Sequence, residues 1–375
     1  MSAGPSRGDD ADFLVWGAYG GHNFGDEAIL RAVSYQLRRV RPNARQYVTM
    51  PGKLSPAVAE HYRAAGIEAV PLFSFRCLKL LVRTQLVAGG GQLLDDHSLG
   101  WPGGYTCLLL GLNRLFANRP VLLCIGANPV HRRLVRAMVR FGYSLATKCT
   151  CRDEGSAAAL VDCGIRPSRV QVTRDIVFAL ESHHLPRRAA APGGKHVAIA
   201  VCHDPMRKPG DCSTVAILVR ELLAAGFHVE LTGHDLRPAY DRYLLEALQA
   251  ELRDVPDVSF VFPDSLDSLL QLYASCHFVI SNRMHPLILA SLLGSVPIAI
   301  AETPKVQALV DNLGIPALDT SSSGQLGSQL IAVLERRSRY ESAIARQLVA
   351  FRSTVENTVD ALFVEESGLL VNTQR

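Results

Sequence analysis

Residues 277–305, HFVISNRMHPLILASLLGSVPIAIAETPK, decide how this chain is read. Residues 278–280 form a short apolar run that stops at Ser281 and Asn282, and residues 296–301 form another. Two buried parallel strands are therefore predicted, flanking a helix from 286 to about 293, with a further helix starting near Lys305. The polar residues between them fall at the carboxyl end of a strand, where open α/β sheets place their ligands. Pro286 suits a first helical position, because the amide hydrogen it lacks would have no partner there. His285 then becomes the cap, and Arg283, two residues back in extended chain, points to the same side. Together with the partial positive charge of the helix start, the pair describes an anion site beside a titratable group. The plainer reading of the same residues is a buried Arg–His pair that does no more than cap the helix.

Outward from this stretch, 375 residues give room for two domains of ordinary size. Hydrophobic residues make up 48% and charged residues 20%, which excludes a disordered chain. A net charge of +4 creates no global field that demands nucleic acid. Residues 1–11 are polar and acidic and read as a disordered leader, with neither the basic start nor the apolar core of a secretory signal. The uncharged run 286–301 is broken by Gly294 and Pro297 and is too short to span a bilayer, so no transmembrane segment is expected. Nine cysteines are scattered, and Cys149 and Cys151 do not have a C-x-x-C spacing. A reducing, cytoplasmic location is expected from this usage.

The amino-terminal half reads as a series of βα units. Residues 13–16 are a strand running into Gly17-Ala18-Tyr19-Gly20-Gly21 and Asn23-Phe24-Gly25-Asp26-Glu27, followed by an amphipathic helix. The glycines match neither the dinucleotide nor the P-loop spacing. Asp26 and Glu27 at the helix start would repel a phosphate. The turn thus reads as a close-approach loop positioning Asn23, Asp26 or Glu27, or simply as a helix cap. Strands at 46–50, 85–88 and 120–125 follow, the latter two ending in Gly89-Gly90-Gly91 and Gly126-Ala127-Asn128, which let a ligand or another backbone approach. Asp95, Asp96 and His97 suggest a metal at first sight, but adjacent ligands diverge, and a solvated loop is preferred. A helix at 130–145 carries Arg132, Arg136 and Arg140 at four-residue steps. Its bland reading is a solvated face, and its sharper one is contact with an anionic membrane surface or a phosphate-bearing acceptor. Arg152 is another cation at a strand end.

Residues 181–195, rich in Pro, Gly and Ala, are the linker candidate. A second α/β series follows, with strands at 196–201, 227–231 and 258–262, helices at 215–225, 238–252 and 266–273, and a helical tail from 325 to 363 that could cross back to the first domain. The expected architecture is α/β: a first Rossmann-like domain at 12–180 and a second at 196–375 facing each other across a cleft. Arg152 and the glycine-rich turns would come from one side, Arg283, His285 and Lys305 from the other.

The ordered set Gly17-x-x-Gly20 with Asn23-Phe24-Gly25-Asp26-Glu27, Gly89 to Gly91, Arg152-Asp153-x-x-Ser156, Asp175, and Arg283-Met284-His285 with Pro297 and Lys305 resembles the polysaccharide pyruvyl transferases. It spans most of the chain. The resemblance implies a GT-B-like two-domain fold and transfer of pyruvate from phosphoenolpyruvate to two sugar hydroxyls as a ketal, in polysaccharide biosynthesis of the cell envelope. Phosphoenolpyruvate carries a phosphate and a carboxylate, which the planar fork of arginine binds bidentately. Arg152, Arg283 and Lys305 are the donor-binding candidates. His285 is the candidate proton-transfer group, and Asn23, Asp26, Glu27 and Gly89, Gly90 and Gly91 are candidates for the cleft or acceptor side. No cofactor and no metal are expected. The expected partner is a carbohydrate acceptor, nucleotide- or lipid-linked, with no nucleic acid and with peripheral contact at the inner membrane face. Two competitors stay open: a GT-B glycosyltransferase or sugar-nucleotide-processing enzyme, for which Glu302 would be a poorly placed ribose ligand, and a non-catalytic polysaccharide-binding or assembly protein.

Overall fold

The computed structural model describes residues 12–21, 23–51, 56–96, 99–189, 194–203, 212–320 and 325–364. The leader at 1–11, His97 of the acidic cluster and residues 190–193 of the linker lie outside the described residues.

The first sheet contains β1 (Phe13–Trp16), β2 (Gln46–Met50), β3 (Ile67–Pro71), β4 (Gln85–Gly89), β5 (Gln92–Leu94), β6 (Val121–Ala127), β7 (Lys148–Cys151) and β8 (Val170–Val172). Their order is β3-β2-β1-β4-β6-β7-β8, with β5 paired to β6 and every pairing parallel. Its helices are α1 (Phe24–Val40), α2 (Pro56–Ala64), α3 (Phe75–Arg83), α4 (Gly103–Leu115), α5 (Arg133–Gly142) and α6 (Glu154–Asp162). Parallel strands covered on both faces need apolar side chains throughout, and FLVW of β1 and VLLCIGA of β6 are buried at every position.

The second sheet holds β9 (His196–Val201), β10 (His228–Gly233), β11 (Val258–Phe260), β12 (Phe278–Ser281), β13 (Val296–Ile300) and β14 (Ala317–Leu318). These run in the order β11-β10-β9-β12-β13-β14, again all parallel. Around it are α7 (Cys212–Ala224), α8 (Asp241–Glu251), α9 (Leu266–Ser275), α10 (Met284–Leu292), α11 (Pro304–Leu313), α12 (Leu326–Glu335) and α13 (Arg337–Phe363). In each sheet the chain winds outward one way and then restarts the other way. The resulting switch points, where open α/β sheets bind ligands, lie between β1 and β4 and between β9 and β12.

Internal contacts divide the chain into one unit of residues 1–21, 28–180 and 351–375, and another of 22–27 and 181–350. The division at Leu180 coincides with the composition change that marks the linker. A scheme keeping all of 196–375 together needs correcting, because the last turns of α13 pack with the first unit. There Phe351 meets Phe178 edge-on at 5.0 Å, the Thr358 and Thr173 hydroxyls are 2.9 Å apart, and Phe363 stands against Phe13 at 5.6 Å. Val355 and Val359 are fully buried in that packing, which gives the crossing its driving force.

Candidate functional site

At the switch point of the second sheet, β12 ends in Ser281, whose hydroxyl donates to the Ala200 carbonyl at 3.0 Å and accepts from the Arg283 amide at 3.1 Å. Arg283 is the N-cap of α10, with extended backbone at φ −108° and ψ 146°. The helix therefore starts earlier than Pro286 suggested, and His285 is a first-turn residue instead of the cap. Proline is tolerated at this third position because the first-turn amides have no acceptor within the helix anyway.

The Arg283 guanidinium is held from two directions. Its Nε donates to Cys202 Sγ at 2.7 Å, just past the end of β9, and its Nη2 donates to Asp241 Oδ1 at 2.8 Å. Nη1 takes no part in these bonds, and the side chain is 20% exposed. Asp241 opens α8 and its side chain is 0% exposed. It accepts from the backbone amides of His203, His234 and Asp235 at 2.8, 2.9 and 2.8 Å. Burial pushes its carboxyl up, against the pull of Arg283 and of those amides toward the charged form. Burial also acts to lower Arg283, but Asp241 and Cys202 outweigh it and the guanidinium stays charged. The Cys202 thiol is raised by burial, while Arg283 and Lys305 both pull it down. Lys305, half-buried in the first turn of α11, thus lies within electrostatic reach of the same pocket of charge.

Behind Arg283, His234 sits just past the end of β10. Its Nε2 is 2.7 Å from the Tyr273 hydroxyl and the two rings stack at 5.8 Å. Burial, reinforced by the positive Arg283 and by His285, lowers the imidazole well below its ordinary value, so it is neutral. Its Nδ1 is buried with no hydrogen-bond partner among the described residues.

The Asn23 to Glu27 motif is built into this same unit. Asn23 bridges Asp235 in antiparallel fashion, and the Phe24 amide donates to the His234 carbonyl at 2.9 Å. Asn23 Oδ1 accepts from the Gly25 amide at 2.9 Å. A Cβ on Gly25 would lie 2.5 Å from His285 Nδ1 and 2.9 Å from its Cγ, so the imidazole rests directly on the Gly25 backbone. Asp26 acts electrostatically on Arg237, whose fork holds Asp235 through bonds of 2.7 and 2.5 Å. The amino-terminal motif therefore supports His285 and the loop after β10, a role its sequence left open.

The first unit's switch point is closed by its own side chains. The Tyr19 hydroxyl donates to the Gly89 carbonyl at 2.5 Å, and its ring lies where a Cβ on Gly17 would be. Gly90 has a left-handed φ of 59°, and a Cβ there would meet Ile29 of α1 at 2.0 Å. Gly89, Gly90 and Gly91 are buried, and Gly89 and Gly90 serve the close approach of α1 to the sheet. The alternative given from sequence, approach of another backbone element, fits these positions.

Arg152 directly follows β7, with its side chain 4% exposed, stacked on Gly126 and 3.4 Å from both Asp175 and Asp153. Asp153 caps α6 by accepting from the Ser156 amide at 2.7 Å, and the Ser156 hydroxyl accepts from the Ala127 amide at 3.0 Å. The Arg152-Asp153-x-x-Ser156 pattern and Asp175 thus form one buried network that ties β6, β7 and α6 together.

Asp96 accepts from the amides of His131 and Arg132 at 2.7 and 2.9 Å and so leads into α5. No cluster of potential metal ligands occurs among the described residues. Sequence reasoning missed Asp241, His234 and Cys202. Thr232-Gly233-His234-Asp235, a polar run after an apolar strand, carried the same strand-end signal as Arg283; Asp241 gave none.

Comparison with known proteins follows this geometry. The family model described as polysaccharide pyruvyl transferase matches residues 23–303, from the Asn23 motif to the start of α11. No sequence among the curated proteins matches the chain. Similar solved structures include a glycosyltransferase from Rickettsia africae (TM-score 0.66, 10% identity, 97% of this chain and 100% of that one). Also similar are UDP-GlcNAc 2-epimerase from Neisseria meningitidis (0.59, 14%, 93% and 98%) and Anabaena HepE in complex with UDP (0.62, 11%, 96% and 100%). At these identities the likeness establishes the fold, a two-domain Rossmann-like arrangement of GT-B type.

Proposed function

Because the chain belongs to the polysaccharide pyruvyl transferase family, we propose that it transfers pyruvate from phosphoenolpyruvate to two hydroxyls of a sugar, forming a ketal on a glycan or glycan precursor. The observation that carries this reading is the pairing of Arg283 with His285 at one helix start, at the switch point of the second sheet. Arg283 is pre-oriented by Asp241 and Cys202, so little side-chain entropy is lost when it meets an anion. Lys305 adds a second cation for the phosphate, and the α10 start adds its dipole.

His285 first gives a proton to the methylene carbon as one sugar hydroxyl adds to the neighbouring carbon and passes its own proton to the phosphate. Phosphate then leaves, and the second hydroxyl closes the ketal as the imidazole takes up a proton. The balance is phosphoenolpyruvate plus a diol giving ketal plus phosphate, with no net change of oxidation state. Arg152, the remaining donor candidate, lies 3.4 Å from Asp175 and from Asp153 within the first unit. No helix among the described residues is long and apolar enough to cross a membrane.

Two variants test the assignment. His285→Ala should abolish phosphate release while phosphoenolpyruvate still binds, and Arg283→Ala should weaken that binding. Near-normal turnover in the first variant would end the proton-transfer role, and unchanged affinity in the second would move the anion site elsewhere. Turnover of a UDP-sugar with none of phosphoenolpyruvate would favour the sugar-nucleotide chemistry named for the epimerase neighbour.

A further inference from the structure

Helices α3, α4 and α5 lie side by side on one face of the first sheet. The Asn113 amide of α4 donates to the Leu81 and Thr84 carbonyls at the end of α3, and Gly142 of α5 admits Cys107 of α4 so closely that a Cβ would meet its sulfur at 2.3 Å. Their inner faces are ordinary core, with Cys77, Leu81, Leu109, Val135 and Val139 buried. Their outer faces carry large apolar side chains among exposed cations. Phe73 and Phe75 are 74% and 72% exposed, Leu115 76%, Leu134 66% and Phe141 75%. Between α3 and α4, Phe73 and Phe75 line an apolar groove of about 350 Å³ together with Leu72, Leu78 and Leu108.

Charge on this face is one-sided. Residues 72–147 contain nine Arg or Lys and two acids, Asp95 and Asp96. Asp96 is spent on the amides leading into α5. Arg76, Lys79, Arg114, Arg133 and Arg140 are all exposed beside the apolar side chains. Arg76 has an ion pair with Glu68, and Lys79 lies 4.9 Å over the Phe75 ring. Contiguous exposed apolar surface of this kind marks an interaction site. Its cationic margin specifies an anionic partner, and rings alternating with cations on parallel helices match the headgroup boundary of a bilayer.

We propose that the outer face of α3, α4 and α5 docks on an anionic lipid surface, with Phe75, Leu115 and Phe141 entering the headgroup layer and the arginines meeting lipid phosphates. The inference stands on the first unit alone and is independent of the chemistry proposed for Arg283 and His285.

The test is sedimentation of the full-length protein with vesicles of phosphatidylcholine alone and with added phosphatidylglycerol. Binding should require phosphatidylglycerol, weaken with salt, and lose about fivefold in partition for each of Arg133→Gln and Arg140→Gln. Phe75→Ser/Phe141→Ser should abolish it with an unchanged circular dichroism spectrum, since both side chains are outside the core. Trp101, 38% exposed beside this face, should shift its emission to the blue on binding. Absence of binding to either vesicle, equal binding to both, or full binding by the double variant would overturn the proposal. So would concentration-dependent self-association without lipid that the same double variant removes, which would make the face an interface between copies.

Discussion

Replacing Gly25 with alanine probes the site through its support while leaving every charged group in place. Alanine is a better helix former than glycine, and Gly25 lies in the first turn of α1, so the helix backbone should accept it. The new Cβ, however, would stand 2.5 Å from His285 Nδ1, where ordinary contact begins at 3.4 Å. Asn23 Oδ1, 3.1 Å from the same point, blocks one route of escape, so the imidazole must move by about 0.9 Å. A displacement of about 1 Å at a catalytic group costs on the order of a hundredfold in rate, about 2.7 kcal/mol of transition-state stabilisation. Gly25→Ala should therefore lower kcat for phosphate release about a hundredfold, with little change in phosphoenolpyruvate affinity and a changed His285 ring resonance in the NMR spectrum. Full activity with an undisturbed His285 resonance would refute the reasoning that the Asn23 to Glu27 motif positions this histidine.

Asp241→Asn should destabilise the protein by at least about 3 kcal/mol, since either amide orientation sets an NH₂ group against buried donors and leaves Arg283 without its anion; thermal unfolding measures it, and a shift under 2 °C would contradict it. His234 is held neutral by burial, whereas the unfolded chain binds a proton below 6.5, so stability is complete above that pH and falls by about 1.4 kcal/mol per unit below it. His234→Gln should flatten that part of the dependence between pH 7 and 5.5 in denaturant titrations, and an unchanged slope would show that the histidine is already charged in the fold. Arg152→Met should cost about 3 kcal/mol by removing the Arg152 cation from the buried Asp175; thermal unfolding measures it, and unchanged melting would contradict it.

The strands were legible because parallel sheets need continuous apolar runs, and residues 278–280 and 296–301 became β12 and β13 almost residue for residue. Helix starts were less so. Pro286 fits anywhere in a first turn, and its presence alone could not say that α10 begins at Met284. Helix α4 escaped periodicity analysis because leucines lie on its outer face as well as its inner one, with Leu108 and Leu115 exposed, the feature that now points to a partner surface. Arg283 and His285 could be found from the strand-end rule. Asp241 could not, because a carboxylate at a helix start reads as an ordinary cap until the fold sets it 2.8 Å from an arginine distant in sequence. The glycines left two readings open: close approach was foreseeable, but sequence could not say that Ile29 of α1 would stand above Gly90.

The most direct test of the central claim is to incubate the protein with phosphoenolpyruvate and a panel of nucleotide- and lipid-linked sugars, following free phosphate and the mass of the sugar together. The account predicts phosphate released in step with a sugar heavier by one pyruvate ketal, and neither product with His285→Ala. Sugar modification that proceeds without phosphoenolpyruvate, or phosphate release with no ketal formed on any acceptor, would contradict it.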